Sequence, residues 1–352
     1  MSEDKILIGI KEIAKLAKVS IGTVDRVLHD RPGVAAKTKE RVLDVLKKHP
    51  YQPNIIGRIL SRKKTINIAA LIPKCSPESA YWDAPLAGLI KAQEELYNYQ
   101  VKLAFLLFDQ NDRSTFVQLA EQVKASEFDG VILAPTFLNE SLSLTSYCDE
   151  KGILYTLLNS ELEGSNHLTY FGPNLFKSGS VAAQLATLIL NKKDEFLILH
   201  ISKEMELNHH LLIKERGFKS FLKENRVTNK LHELIIRDTE YQKIENELDR
   251  FFSHIRPRVL FVTNSRVSSV AKYLEANDLN DICLIGFDYL PENIAFMKKG
   301  VIDFLICHKP IEQGYKSLLA LFDKIVKNKI PPQTNYMPID IICKENYEYY
   351  EN

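Results

Sequence analysis

Apolar residues recur at helical spacing three times in the first fifty positions, and the rhythm then changes. Ile10, Ile13, Ala14 and Ala17 fall on one face of a short helix. Lys18-Val19-Ser20 interrupts it, with Ser20 placed to cap a second helix. That helix runs from about Ile21 to Leu28, burying Val24 and Val27 or Leu28 and leaving Gly22, Thr23, Asp25 and Arg26 on other faces. His29-Asp30-Arg31-Pro32-Gly33 has the composition of a turn. A third helix, about Ala36 to Lys48, turns Val42, Leu43, Val45 and Leu46 inward. Two short helices about a tight turn, braced by a third, predict a helix-turn-helix whose second helix enters a DNA major groove. Periodicity alone leaves a protein-docking module open as well.

Past Lys63-Lys64-Thr65 the pattern becomes alternating. Ile66–Ile72, Val101–Phe108, Gly130–Ala134, Ile153–Leu158, Phe196–Ile201, Leu231–Arg237, Val259–Thr263 and Ile282–Phe287 are short, β-rich apolar runs. Leu86–Tyr97, Ser114–Ala125, Lys177–Leu190, Ile213–Glu224 and Ser268–Asn277 carry helical periodicity between them. Strict alternation predicts parallel sheets covered by helices on both faces. The fold class is therefore an all-α head on an α/β body of two doubly wound parallel-sheet lobes, with a ligand cleft between them. In such sheets ligands sit beyond the carboxyl ends of the strands. Those ends carry Tyr81-Trp82, Asp109-Gln110-Asn111-Asp112, Asn159-Ser160, Asn264-Ser265, Asp288 and His308-Lys309-Pro310. Amides, carboxylates and the single tryptophan suit a polyhydroxylated ligand, because they pair with hydroxyls and cover the apolar side of a ring. Core aromatics and helix caps are the competing readings of Tyr81, Trp82 and Asp109–Asp112.

Charge sharpens the division. Residues 1–64 hold 15 Lys and Arg against 7 Asp and Glu, a net of +8, and the remaining 288 residues hold 31 against 38, a net of −7. A basic head on an acidic body implies a polyanionic partner for the head alone. The five cysteines (75, 148, 283, 307, 343) are scattered without a CxxC pair, the usage of a reducing compartment. MSEDKILIGIKEIAK lacks a secretory apolar core, and no apolar run approaches the length of a membrane span, so a cytoplasmic location is expected. Walker-type and GxGxxG loops, a nucleophile elbow and a metal cluster are all missing, which predicts no enzyme, no cofactor and no metal. His209-His210 is read as a solvated loop, since no acid or Cys stands at ligand spacing.

The run Ile10-Lys11-Glu12-Ile13-Ala14-Lys15-Leu16-Ala17-Lys18-Val19-Ser20, then Thr23-Val24-Asp25-Arg26-Val27-Leu28, Lys37–Val42, Tyr51-Gln52-Pro53-Asn54 and Ile55–Leu60, resembles the head of the lac-repressor (LacI) family. The resemblance implies that Ser20, Ile21, Gly22, Thr23 and Arg26 meet DNA: Ile21 and Gly22 where bases are chosen, Arg26 on a base edge or phosphate, Thr23 on phosphate. It also implies that residues 54–61 are a hinge helix, with Asn54, Ile56 and Gly57 at the backbone. Leu60 would be wedged into the minor groove beside its dimer mate, unstacking a base step. Taken alone, Leu60 is an ordinary helix-face leucine. Gly22 has no side chain with which to read a base. Asp25 replaces a usual serine, which is unfavourable near phosphate unless it accepts from cytosine or pairs with Arg26.

Phe108–Asp112, Phe128–Ile132, Lys214–Phe218, Ile285–Asp288 and His308-Lys309-Pro310 resemble the periplasmic sugar-binding (type I) fold, nearest its ribose-binding branch. By that resemblance Tyr81 and Trp82 stack on the ligand, while Asp109, Asn159, Lys214, Asn264, Asp288 and His308 bind it. Lys214 stands for a usual arginine, His308 for glutamine, Asn159 for aspartate, and Ser265 follows Asn264 where aspartate is common. These exchanges point to a ligand with an anionic group, a sugar acid; a neutral sugar is the alternative. The expected domains are a DNA-binding head at 1–53, a hinge and linker at 54–65, and an effector domain at 66–345. Within the last, one lobe takes about 66–171 and 309–337 and the other about 172–308 and 338–352. The expectation is a homodimeric transcription regulator, a repressor, which binds operator DNA under control of a sugar or sugar acid. Leu86–Leu96 and Leu318–Ile325 are the expected dimer-facing helices. A solute-binding protein for sugar uptake is the rival reading.

Overall fold

The computed structural model describes residues 9–28, 30–49, 65–76, 80–203 and 209–352. They form two compact units divided between Thr65 and Ile66. In the first, α1 (Ile10–Leu16), α2 (Ile21–Leu28) and α3 (Ala36–Lys48) close around Ile13, Ala14, Ala17, Val24, Val27 and Val42. The Ser20 hydroxyl accepts from the Thr23 amide at 3.1 Å, the cap that starts α2. Leu43, expected inward, is 40% exposed. It sits one residue past Val42, a rotation that carries it off the stripe which Val42, Val45 and Leu46 share.

The second unit is two six-stranded sheets. The first has the order β11-β5-β4-β3-β1-β2, from β1 (Ile66–Pro73), β2 (Val101–Phe108), β3 (Gly130–Leu133), β4 (Leu154–Leu158), β5 (Thr169–Gly172) and β11 (Thr334–Tyr336). The second has the order β12-β10-β9-β8-β6-β7, from β6 (Phe196–Ile201), β7 (Leu231–Ile236), β8 (Val259–Val262), β9 (Cys283–Phe287), β10 (Phe304–Cys307) and β12 (Asp340–Ile342). Every pairing is parallel except that of β12 with β10. Central strands such as β3, β8 and β9 are buried along their whole length, as a sheet covered on both faces requires. The chain passes between the sheets three times: after β5, after β10 and after β11.

Helices α4 (Asp83–Glu95), α5 (Arg113–Ala125), α6 (Leu138–Lys151) and α12 (Pro310–Lys327) cover the first sheet. The other sheet carries α7 (Leu175–Ile189), α8 (His209–Glu224), α9 (Tyr241–Phe252), α10 (Val267–Ala276) and α11 (Pro291–Lys299). On α12 Leu318 and Leu321 are fully buried within the fold. No helix among the described residues is long and apolar enough to cross a membrane.

One helix pair in each lobe is packed backbone to backbone. A Cβ on Gly88 of α4 would lie 1.9 Å from the Ile311 carbonyl oxygen of α12, and a Cβ on Gly179 of α7 would lie 1.8 Å from that of Lys214 on α8. Neither neighbour is a flexible side chain, so an added methyl has to push a helix away. Gly179→Ala is therefore expected to destabilise the body by about 3 kcal/mol, the upper range for overpacking. Thermal unfolding should register a fall in Tm of roughly 6 °C or more.

Candidate functional site

Two surfaces carry chemistry. In the head, α2 presents Ile21 (46% exposed), Gly22 and Arg26 to solvent. Beside Gly22, the Ser20 and Thr23 hydroxyls are 2.9 Å apart. Asp25 pairs with Arg31 at 3.4 Å, which draws its carboxylate toward the turn. The expected hinge contacts Asn54, Ile56, Gly57 and Leu60 lie outside the described residues.

In the body, a cleft of about 530 Å³ opens at the carboxyl ends of the strands. Of the effector residues expected from sequence, Tyr81, Trp82, Asn159, Lys214, Asn264, Asp288 and His308 line it, and Asp109 does not. Asp109 accepts from the Asn111 amide at 2.9 Å and pairs with Lys74 at 2.8 Å, contacts that hold its carboxyl below the usual range. Its neighbours Gln110 and Asn111 reach the cleft instead. Tyr81 and Trp82 meet edge to face at 5.2 Å between ring centres, and the Tyr81 hydroxyl donates to Asn159 Oδ1 at 2.9 Å. Asn159 takes a left-handed backbone, φ +68°, a conformation asparagine tolerates better than most residues. The Asn264 carboxamide donates to the Ile201 carbonyl and accepts from the Arg266 amide, so it builds the wall as well as facing the cleft.

The second lobe concentrates the charge. Lys214 is 6% exposed, donates to the Thr263 carbonyl at 2.9 Å and lies 3.6 Å from the Phe287 ring centre. Burial pushes its ammonium down to about 8, with Asp288 opposing the fall. Burial raises Asp288 to about 6 against the pull of Lys214, and no described residue bonds to its carboxylate. His308 is pushed down to about 3 by burial and by Lys214, so its ring is neutral. Its Nε2 lies 2.8 Å from the Ser178 hydroxyl, which itself donates to the Asn174 carbonyl. Nε2 therefore carries the ring proton and Nδ1 remains an acceptor.

Beside Lys214, the cleft draws in three cations not expected from sequence, Lys177, Lys203 and Arg266. Lys177, Lys203, Lys214 and Arg266 stand in its lining against two acids, Glu161 and Asp288. Arg266 and Lys177 belong to the segments following β8 and β5. The four-residue β5 carries no apolar run that would mark Lys177 as following a strand end, and Arg266 sits two residues past Asn264. His210, expected in a loop, lies in the first turn of α8 and lines the cleft. Among the described residues no cluster of His, Cys, Asp and Glu is placed to hold a metal ion.

Comparison with known proteins fits both surfaces. Residues 9–54 match the family described as bacterial regulatory proteins, lacI family, and residues 68–329 match the periplasmic binding protein domain. Over 96% of the chain it is 27% identical to the NTD biosynthesis operon regulator of Bacillus subtilis, covering 99% of that protein. It is 26% identical to the ribose operon repressor of Halalkalibacterium halodurans, over 97% of this chain and 98% of that one. A crystal structure of a Bacteroides fragilis protein assigned as a LacI transcriptional regulator superposes with a TM-score of 0.77 at 29% identity, covering 82% of this chain and all of that one. The fold alone is shared with a Burkholderia graminis solute-binding protein in complex with D-arabinose, at a TM-score of 0.73 and 20% identity over 82% of this chain and 99% of that one. The chain belongs to the lacI family of bacterial regulatory proteins, with a periplasmic-binding-protein body.

Proposed function

We propose that this protein is a sequence-specific DNA-binding repressor whose grip on its operator is set by a small sugar-like effector held between the lobes. The observation that carries the reading is one chain holding both a helix-turn-helix with an exposed α2 face and a strand-end cleft with a buried ammonium and an unbonded carboxylate. Ser20, Ile21, Gly22, Thr23 and Arg26 meet the duplex. Asn54, Ile56, Gly57 and Leu60 serve as the hinge contacts within 54–65, between a head at 1–53 and the effector domain. Tyr81 and Trp82 cover the apolar face of the ring, and Asn159, Lys214, Asn264, Asp288 and His308 bond its polar groups.

The four cations against two acids in the lining favour an effector bearing a carboxylate or phosphate. The similarity to a ribose operon repressor, and the fold shared with a solute-binding protein in complex with D-arabinose, support a carbohydrate frame. The effector shifts DNA affinity only through its different affinity for the open and closed lobes. A two-fold dimer is the assembly that presents two heads to a palindromic site.

Trp82 is the only tryptophan in the chain, so its fluorescence reports the cleft without interference. Titration of the full-length protein with matched pairs (glucose and glucuronate, galactose and galacturonate, glucose and glucose 6-phosphate) should change Trp82 emission with the acidic members, and calorimetry should rank them tighter. Tighter binding of the neutral members would remove the anionic assignment. A mobility shift on genomic fragments, repeated with the binding sugar, tests the regulatory reading. The expected outcome is a preferred fragment whose shift the sugar alters.

A further inference from the structure

Two cleft residues sit beside non-glycine backbone in, or themselves adopt, the left-handed region. Asp288 has φ +72°, and Lys309, next to His308, has φ +50°. Such conformations persist where the surroundings over-determine them. One short segment, Tyr347–Asn352, contacts Lys309 directly and reaches Asp288 through its neighbour Tyr289, while Asn293 donates to the Asp288 carbonyl at 3.0 Å.

The Tyr350 hydroxyl accepts from the Lys309 amide at 3.1 Å, and the Lys309 ammonium donates to the Glu351 carbonyl. The Tyr350 ring packs 5.0 Å from that of Tyr289, the residue after Asp288. Tyr289 in turn donates its hydroxyl to the Tyr347 carbonyl at 3.0 Å. At the far end, Asn352 Oδ1 accepts from the Ile311 amide at 3.2 Å. That amide lies in the first turn of α12, whose own N-cap, Lys309, supplies no side-chain cap. Tyr289 belongs to the second lobe and α12 to the first. The segment thus bridges the lobes across the passage that follows β10, and it braces the backbone on either side of the cleft's buried charge.

We propose that Tyr350, with the segment around it, is a positioning residue of the effector cleft. Through Tyr289 it sets Asp288, through Lys309 it sets His308, and through Asn352 the segment clips the start of α12, so it governs the angle at which this crossover bends. The proposal rests on the reading of the cleft as the effector site, and its test is independent of any sugar.

Hydrogen exchange of the full-length protein, read by mass spectrometry, separates the two arms. Tyr350→Phe keeps the ring and removes the hydroxyl. It should speed exchange at 307–311 about fivefold, the effect of one lost hydrogen bond, and leave 287–290 unchanged. Tyr350→Ala should speed both segments, while β3 and β6 stay at wild-type rates. Should Tyr350→Ala fail to fold, Asn352→Ala serves as the second variant and should speed exchange at 311–313 alone. Unchanged exchange at both segments overturns the proposal. So does an equal acceleration across the whole body, which marks a merely structural role. If no sugar binds the wild-type protein, the effector reading fails, while the exchange pattern still decides what the segment positions.

Discussion

Arg26→Ala is expected to weaken binding to the preferred duplex by about tenfold to a hundredfold, while attraction to unrelated duplexes falls far less. Arg26 is exposed on α2, and among the described residues its guanidinium pairs with no carboxylate, so the fork is free for a guanine edge. The nearest acid in sequence, Asp25, is drawn to Arg31. Gly22 leaves open space beside Ser20, its nearest neighbour being the Ser20 hydroxyl at 3.8 Å from a notional Cβ. With no side chain at Gly22, Arg26 and Ile21 are expected to carry more of the base discrimination. Fluorescence anisotropy at one fixed salt concentration, against the preferred duplex and a scrambled one, measures the ratio directly. A guanine contact lowers the ratio. A phosphate contact lowers both affinities together and reduces the salt slope by about one. The second pattern would reassign Arg26 from choosing sequence to holding the backbone.

The alternation that exposes this fold in sequence is strongest where a strand is long or continuously apolar. Val101–Phe108 and Phe196–Ile201 are read from their residues to the correct ends. Thr169–Gly172 mixes Thr, Tyr and Gly in four residues and carries no continuous apolar run, whereas Phe304–Cys307 is legible only through the polar His308 that ends it. Thr334–Tyr336 and Asp340–Ile342 are shorter still and owe their strand state to the sheet edges they join, which no local pattern records. The cleft is legible for the same reason that strand ends are: Asn159, Asn264, Asp288 and His308 each follow an apolar run at once. Asp109 also follows one, yet Lys74 and the Asn111 amide claim its carboxylate, and Lys74 comes from beyond the end of a different strand. Such capture is a tertiary fact. The same holds for Gly88 and Gly179, whose partners across the helix contact are 200 and 30 or more residues away in a direction that periodicity does not specify. Leu43 shows the converse limit, since counting apolar residues on α3 overstates the width of its buried stripe.

Lys214→Met should give a body that is more stable and a cleft that binds acidic sugars more weakly. The ordinary lysine value of 10.5 falls to about 8 in the folded protein because the ammonium is buried. The folded state therefore disfavours that charge by about 3 kcal/mol at neutral pH, an amount reduced in the variant where Asp288 loses its opposing cation. Because the folded value is the lower one, the unfolded chain binds more protons between about 8 and 10.5, and wild-type stability rises with pH across that window. Methionine removes the titrating group, so the variant should melt higher at pH 7 and lose this rise. Thermal scans at pH 7 and 9.5 check both points. Binding moves the other way. An acidic sugar held by the ammonium keeps its affinity below pH 7 and loses it above about 8, approaching tenfold per pH unit as the free protein deprotonates. In Lys214→Met its affinity should fall about tenfold to a hundredfold at every pH, the range for a lost charge-assisted hydrogen bond. A neutral sugar shows neither dependence. The cleft thus keeps a cation that costs the folded chain stability, and an effector carrying negative charge would offset that cost on binding. Equal loss of affinity for the acidic and neutral members of a pair would instead make Lys214 a hydroxyl ligand.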